Sequence, residues 1–311
     1  MISFGPVSSR RLGKSLGINN IPSQKVCSYS CIYCQLGITK KLSINREQFY
    51  EPEIIYKEVQ NHLRKLKKAD KPDYLTFVAN GEPTLDINLG KSIEKLKLLN
   101  IPIAVITNAS LLNQQDVRDD LNLADLVSIK VDVNNEPAWK LINRPHNRLD
   151  FEKHVDGLLH FSSEYKGKLV TETMLVDGVN DSSAILEEIS ALIAQINPSI
   201  AYLSIPTRPP AIFTVKVADE PIDEAYKIFS NRGLNVELLI DFEGTETGYT
   251  GNAIEDIIDI CTVHPIREDT MQELLKNDNA DPNILNSLIQ AKYIKPVKYK
   301  SKIFYIRQFH V

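Results

Sequence analysis

Three cysteines lie within eight residues near the start of the chain, and the fourth is far from them. The spacing is Cys27-x3-Cys31-x2-Cys34, whereas Cys261 stands alone near the other end. A disulfide scaffold uses more cysteines, more evenly spaced along the chain. Thiols this close together therefore predict metal binding or catalysis in a reducing compartment.

Three kinds of site stay open for these thiols. Zinc prefers four ligands, often in two pairs, but Cys261 is single and the nearest histidine in sequence is His62. A 4Fe-4S cluster normally takes four thiolates, so three cysteines would leave one iron open to a substrate or cofactor. The third alternative is a group of thiols without a metal.

A glycine and a carboxylate follow a short apolar run further along the chain. Asn80, Gly81 and Glu82 come directly after residues 74–79, which read as a buried strand. A glycine at a strand end lets backbone approach a ligand, and Glu82 offers a carboxylate to an ammonium group. The alternative is an ordinary turn with a solvated glutamate.

Both motifs resemble those of the radical S-adenosylmethionine superfamily. Residues 27–34 read CSYSCIYC, which matches that family's C-x3-C-x-aromatic-C signature, and Gly81-Glu82 is similar to its Gly-Glu motif. The resemblance implies a partial (β/α)6 barrel in which the three clustered cysteines hold a 4Fe-4S cluster. It also implies that the open iron chelates S-adenosylmethionine.

The chemistry implied by this resemblance is an oxidoreductive radical reaction. One electron from the reduced cluster cleaves the cofactor to methionine and a 5′-deoxyadenosyl radical, which abstracts hydrogen from a substrate. An external flavodoxin- or ferredoxin-like protein is expected to donate the electron. The residues expected to bind the cofactor lie in the motifs or at strand ends: Tyr33, Asn80, Gly81, Glu82, Asn108, Lys130, Asp132 and Glu172.

The strand-end residues are expected at the cofactor because of strand geometry. Asn108 follows the third predicted strand, while Lys130 and Asp132 close the fourth and share a face, since side chains alternate with period two. Glu172 shares a face of the fifth strand with Met174, and a carboxylate within an apolar strand is costly unless paired. The alternative for each is a solvated strand end.

Residues 1–50 are irregular and form an N-terminal extension with one short strand, and from there to residue 240 short apolar runs alternate with amphipathic helical patterns. This alternation predicts a parallel α/β sheet with ligand groups at the carboxyl ends of its strands. Residues 134–148 read as a loop between the fourth strand and its helix. The predicted strands are residues 16–21, 74–79, 101–107, 126–131, 169–176, 200–205 and 234–240.

The alternation stops after residue 240. Residues 241–263 read as a connecting segment, with Cys261 as a small buried residue. Residues 264–311 read as two helices and then two strands, Tyr293 to Phe309, about a Lys-Ser-Lys turn, which is the outline of a winged helix. The sequence thus predicts a barrel domain, a connection and a small C-terminal winged-helix-like module.

Composition excludes fibrous and disordered classes. Of 311 residues 43% are apolar and 24% charged, and the formal charge of −4 gives no global attraction to nucleic acid or membrane. No stretch approaches the roughly 18 apolar residues that span a bilayer. Residues 1–6 do not begin a signal peptide. We therefore expect a cytoplasmic protein without a membrane partner.

Two classes of macromolecular substrate stay open. Residues 4–13 and 34–37 resemble radical enzymes related to the tRNA wyosine-base synthases, which implies an RNA base. Residues 291–311 carry six basic residues and no acidic one, which favours phosphate binding. The aromatic residues of the same ribbon are expected to stack on bases: Tyr293, Tyr299, Phe304 and Tyr305.

The second class is a protein substrate, with the chain acting as a glycyl-radical activase or a peptide-modifying enzyme whose terminal module grips its partner. The absence of a second cysteine cluster fits a simple hydrogen-abstracting activase. A zinc-stabilised nucleic-acid-binding protein is the non-enzymatic alternative.

Overall fold

One curled sheet of eight strands organises the first 240 residues. The computed structural model describes residues 2–22, 24–67, 70–213, 215, 221–240, 244–245 and 247–308. The first strand, β1 (Ser3–Ser9), pairs antiparallel with β2 (Gly13–Ile18), and every later neighbouring pair in this sheet is parallel.

The cysteine loop follows β2 and contains a short parallel pair, β3 (Val26–Cys27) with β4 (Lys41–Leu42). The remaining strands of the large sheet then follow in chain order, which is also their spatial order. They are β5 (Tyr74–Phe77), β6 (Ile103–Thr107), β7 (Leu126–Lys130), β8 (Lys168–Met174), β9 (Ile200–Ser204) and β10 (Val236–Leu239).

Helices connect the parallel strands and bury their apolar faces against the sheet. They are α1 (Pro52–Lys65), α2 (Leu89–Leu96), α3 (Gln115–Leu121), α4 (Glu136–Ile142), α5 (Phe151–Glu164), α6 (Ser183–Ile196) and α7 (Pro221–Asn231). The predicted partial barrel of parallel strands is confirmed, with seven parallel strands in the described sheet and β1 added antiparallel at its edge.

The segment 134–148 was predicted as a loop, but the structure forms α4 within it. Asn135 begins the helix by accepting a hydrogen bond from the Ala138 N–H at 3.0 Å, and Pro137 stands in the first turn, where its missing N–H costs nothing. Trp139 and Ile142 are buried. The helix is too short for periodicity to reveal it.

The C-terminal residues form a separate three-stranded antiparallel sheet with three helices. Its elements are α8 (Ala253–Val263), β11 (Ile266–Arg267), α9 (Glu268–Asn277), α10 (Asn283–Gln290), β12 (Ile294–Tyr299) and β13 (Lys302–Arg307). The hairpin turn falls at Lys300-Ser301, as the sequence predicts. Phe309, where the predicted ribbon ends, lies outside the described residues.

Helix α8 lies within the segment that the sequence assigns to a connection, and it shares a hydrophobic core with the terminal residues. Ile257 and Ile260 of α8 pack there with Met271 and Ile294. Phe4 of β1 belongs to the same core, and a Cβ placed on Gly17 would lie 2.0 Å from its ring. The N-terminal strand therefore ties the barrel to the C-terminal elements.

In the part of the chain that the structure describes, no helix combines the length and apolar composition needed to cross a membrane.

Phe4→Ala tests how much this contact contributes to stability. Because the ring is 3% exposed, its loss should lower the free energy of unfolding by about 3–5 kcal/mol, measured by urea denaturation. The control is Leu98→Ala, because Leu98 is 68% exposed and should change stability by less than about 0.5 kcal/mol. Equal effects of the two substitutions would contradict a stabilising role for Phe4.

Candidate active site

A cleft of about 310 Å³ lies against the sheet where the parallel strands end, within the size range of small-molecule sites. Asn80 and Asp132 are buried and lie outside its lining. The structure brings the other predicted site residues together around this cleft: Cys27, Cys31, Cys34, Tyr33, Gly81, Glu82, Asn108, Lys130 and Glu172.

Two of the cysteine sulfurs accept hydrogen bonds from asparagine side chains. Asn108 Nδ2 lies 3.5 Å from Cys27 Sγ, and Asn143 Nδ2 lies 3.5 Å from Cys31 Sγ. Burial raises the pKa of the Cys27 thiol to about 12 and that of the Cys31 thiol to about 11. Metal ligation would require both protons to be released.

The third cysteine has a buried cation beside it. Lys25 Nζ donates to Cys34 Sγ at 3.0 Å and to the Gly37 carbonyl at 2.6 Å. Burial lowers the pKa of Lys25, but the nearby cysteines, Cys34 above all, outweigh this effect and raise it. Lys25 therefore offsets negative charge on the sulfurs.

Among the described residues, no three His, Cys, Asp or Glu side chains are grouped closely enough to hold one metal ion.

The cysteine loop meets the sheet where Val26 touches Gly81. The Val26 N–H donates to the Asn80 carbonyl at 3.2 Å, and the Glu82 N–H donates to the Val26 carbonyl at 3.0 Å. A Cβ on Gly81, whose φ is +138°, would lie 1.7 Å from the Val26 oxygen. Because Gly81 has no side chain, the backbone of the cysteine loop can approach it this closely.

Glu82 is 1% exposed and ties the ends of two neighbouring strands together. Its Oε1 accepts hydrogen bonds from the hydroxyls of Thr84 and Thr107 at 2.8 and 2.6 Å, and from the Thr84 N–H. Its Oε2 accepts the Asn108 N–H at 2.7 Å. Burial raises the pKa of Glu82 although these bonds oppose the shift.

Charges alternate across the opposite wall of the cleft. Glu172 lies between Arg11, which donates to its Oε2, and Lys130, whose Nζ is 3.1 Å from its Oε1. The Lys130 Nζ is also 3.7 Å from Asp132 Oδ1 and 5.0 Å from the centre of the Tyr33 ring. The Tyr33 hydroxyl donates to Asp132 Oδ2.

The alternation of acidic and basic side chains sets the protonation states of Glu172 and Lys130. Burial alone would raise the pKa of Glu172, but Arg11 and Lys130 hold it well below its usual range. Burial likewise lowers the pKa of Lys130, and Asp132 and Glu172 more than compensate, so that it is raised. At neutral pH the carboxylate is ionised and the lysine protonated.

These contacts match the strand geometry read from the sequence. Lys130 and Asp132 share a face, and Glu172 and Met174 both line the cleft. Sequence reasoning missed Arg11 and Lys25 as site residues. Both are basic residues close to a recognised motif, but nothing in their spacing shows which acid or sulfur they contact.

The C-terminal elements close one side of the cleft. Gln35, next to the last clustered cysteine, donates through Nε2 to the Val263 carbonyl at 3.0 Å. Arg208 bonds both to Gln35 Oε1 at 3.2 Å and to His264 Nε2 at 2.9 Å. The Tyr299 hydroxyl donates to the Pro206 carbonyl at 2.9 Å. Sequence reasoning did not anticipate these contacts.

The prediction that the aromatic residues of the ribbon stack on bases is wrong for Phe304 and Tyr305, whereas Tyr293 is 38% exposed. Phe304 and Tyr305 are both buried, on opposite faces of β13: Tyr305 packs in the core that α8 shares with the terminal elements, and the Phe304 ring lies 6.4 Å from that of Tyr299. Tyr299 bonds to the barrel, and Tyr293 packs beneath the Arg307 guanidinium, 5.1 Å from its ring centre. The lysines of the ribbon are exposed, namely Lys292, Lys295, Lys298, Lys300 and Lys302.

Two similarities in sequence to known proteins bear on this cleft. The family model of the radical SAM superfamily matches residues 21–189. The UPF0026 protein of Methanocaldococcus jannaschii is 45% identical over 309 residues, which cover 98% of this chain and 96% of that protein.

Solved structures share the fold at low identity. A radical SAM methyltransferase from Sphaerobacter thermophilus has a TM-score of 0.52 at 16% identity, covering 73% of this chain and 66% of that one. Streptococcus suis SuiB bound to its precursor peptide SuiA has a TM-score of 0.54 at 11% identity, covering 71% of this chain and 48% of SuiB. This chain thus matches about half the length of SuiB.

Glu172→Gln should lower the free energy of unfolding by about 3 kcal/mol at pH 7, because the half-buried Arg11 and Lys130 lose the carboxylate they share and only Lys130 keeps a second one, Asp132. The lowered pKa of Glu172 means that its stabilising charge is fully present above the unfolded value of about 4.3 and lost as pH falls through the folded value. The difference between wild type and variant should therefore be constant from pH 5 to 8 in urea titrations and shrink in stronger acid.

The matched control is Glu94→Gln, because Glu94 is exposed and should change stability by less than about 0.5 kcal/mol. A stability loss in Glu172→Gln that disappears already near pH 5 would contradict the assigned charge state.

Proposed function

The chain belongs to the radical SAM superfamily and, within it, to the UPF0026 family, and we propose that it reductively cleaves S-adenosylmethionine in order to modify a base in RNA. The observation that carries the first half of this proposal is one cleft lined by Cys27, Cys31 and Cys34 together with Gly81 and Glu82.

The donor set fits a thiolate-held cluster. The three cysteines supply the sulfurs, and each sulfur accepts a nitrogen donor, from Asn108, Asn143 or Lys25. Such hydrogen bonds orient the ligands of a cluster and tune its potential. A 4Fe-4S cluster bound there would supply the electron that splits S-adenosylmethionine into methionine and a 5′-deoxyadenosyl radical.

The surrounding residues bind and orient the cofactor in this proposal. Glu82 Oε1 is occupied by three donors, whereas Oε2 accepts one, so Oε2 is the atom proposed to receive the cofactor ammonium. Tyr33 is proposed to lie along the adenine, with its hydroxyl fixed by Asp132. Lys130 and Glu172 carry compensated charges that form a polar wall.

Two of the residues expected to bind the cofactor, Asn80 and Asp132, are buried and do not line the cleft. Asn80 supplies its carbonyl to the cysteine loop through Val26, and Asp132 positions Tyr33 and Lys130. Their roles are therefore proposed as positioning rather than direct contact with the cofactor.

An RNA substrate is favoured by the charge of the terminal ribbon. Five exposed lysines lie on residues 292–302 of an otherwise acidic protein, and cations of this kind track phosphates without reading sequence. We propose that residues 264–311 form a winged-helix-like module that holds RNA beside the barrel, residues 1–240. A flavodoxin- or ferredoxin-like donor and a reducing cytoplasm complete the proposal.

A protein substrate is the second candidate. It is favoured by the shared fold with SuiB, which was solved with its precursor peptide. In that case the terminal module would grip a partner protein, and the lysines would only keep the edge strand β12 from pairing with other strands.

The proposal is tested by incubating anaerobically purified protein with reductant and S-adenosylmethionine, alone, with total tRNA, or with cell protein. The readout is 5′-deoxyadenosine, separated by chromatography. We expect slow basal cleavage that RNA stimulates at least several-fold. Stimulation by protein alone would favour the second candidate, and the absence of any 5′-deoxyadenosine would contradict radical cleavage itself.

Replacing Cys27, Cys31 and Cys34 together by alanine should remove the brown colour, about four irons per chain, and all cofactor cleavage. The matched control is Cys261→Ala, because Cys261 is buried among α8 and β13 and its thiol faces the Tyr305 carbonyl at 3.4 Å. That variant should keep its iron and its activity. A full iron content in the triple variant would refute the ligand assignment.

A further inference from the structure

A second cavity, the junction pocket, lies between the barrel and the C-terminal elements and encloses about 180 Å³. It adjoins the cysteine-lined cleft, because both are lined by Val7, Ser8, Thr207, Arg208 and His264. Any group bound in the junction pocket would therefore lie next to the site of the proposed radical chemistry.

The lining of the junction pocket is rich in basic side chains. None of the described residues that line it is an aspartate or glutamate. Arg267 is paired with Asp269. Lys300 lies in the hairpin turn and Lys302 begins β13, and both are exposed. The basic lining residues are Arg208, His264, Arg267, Lys300 and Lys302. The exposed lysines among them favour an anionic ligand.

Two buried hydroxyls in the same pocket have no partner within the described part of the chain. They are Oγ1 of Thr247 and Oγ1 of Thr270, and Thr270 is 7% exposed. A buried hydroxyl without a hydrogen bond costs about 1–3 kcal/mol. Both threonines line this pocket, so a ligand that accepts hydrogen bonds, as the oxygens of a phosphoryl group do, could pair with these hydroxyls after a side-chain rotation.

We propose that the junction pocket binds a phosphoryl group, and that this group belongs to the backbone of the RNA substrate. The second part rests on the proposed function. It is favoured by the exposed lysines that continue from the pocket along the same ribbon, Lys292, Lys295 and Lys298, since a polyanion would need them and a free phosphate would not. In this proposal the junction pocket holds the RNA backbone beside the cysteine-lined cleft.

The first experiment compares two pairs of lysines on one ribbon. Lys300→Glu with Lys302→Glu changes the pocket lining, whereas Lys295→Glu with Lys298→Glu changes the same net charge away from the pocket. Binding of a fluorescein-labelled single-stranded RNA to the anaerobic holoprotein is followed by anisotropy. We expect both pairs to weaken binding, because both lie on the ribbon that contacts the RNA backbone, but the pocket pair to weaken it at least tenfold more than the control pair.

Salt titration adds a readout that a purely structural effect would not move. If the pocket pair removes two phosphate contacts, the slope of log affinity against log salt should fall by about 1.4, since each contact in a single strand contributes about 0.7.

The second experiment uses inorganic phosphate as the probe. Phosphate should raise the melting temperature of the holoprotein above that in potassium chloride of equal ionic strength, because a ligand that binds only the folded state stabilises it. Thr270→Val keeps the shape but removes the unpaired hydroxyl, so it should lose most of this shift without lowering the melting temperature in chloride. The control is Thr262→Val, because Thr262 Oγ1 already donates to the Ile258 carbonyl at 2.9 Å.

The outcomes separate the possible ligands. A phosphate shift lost in Thr270→Val, together with a selective loss of RNA binding in the pocket pair, supports the whole proposal. The same phosphate result with equal RNA binding by both lysine pairs would overturn the RNA source and assign the pocket to a small phosphorylated ligand. No phosphate shift in the wild type would overturn the pocket itself. Cofactor cleavage without RNA, measured in each protein, keeps these failures distinct from a failure of the radical chemistry.

Discussion

The close approach of two backbones at Val26 and Gly81 is the constraint on which the candidate site depends. The cysteine loop has little regular structure of its own. Its first cysteine is positioned by the β-bridge between Val26 and Gly81, in the segment that follows β5. No side chain fits where the Val26 carbonyl stands. The same strand end then presents Glu82, whose bonds to Thr107 and Asn108 extend the connection to β6.

On the other side, the cysteine loop rests on α4 and an aromatic cluster. The Ile32 N–H donates to the Ile142 carbonyl at 2.9 Å, and Trp139 donates to the Tyr29 hydroxyl at 2.9 Å. Tyr29 lies between two of the clustered cysteines and is buried. The loop is thus fixed from both sides, which restricts the positions that its cysteine side chains can take.

Electrostatic compensation explains how so many charges can line one apolar barrel. Glu172 is paired with Arg11 and Lys130, and Asp132 is satisfied by Tyr33 and Asn143. Leaving any of these buried ions unpaired would be costly. These pairs join residues from distant parts of the sequence on one side of the cleft. The polar lining of the cleft therefore also contributes to the packing of the barrel strands.

The sequence alone determined the cysteine motif, the Gly-Glu strand end and the alternation of strand and helix, because each is local in spacing or periodicity. Strand alternation is local too, and it predicts the strand faces on which Lys130 and Glu172 lie. Only the tertiary structure decided that Arg11 and Lys25 enter the site, that α8 packs with the terminal elements, and that Phe304 and Tyr305 are buried. The reason is physical: partners in ion pairs and packing are chosen by the folding of distant segments, and nothing in the local pattern records that choice.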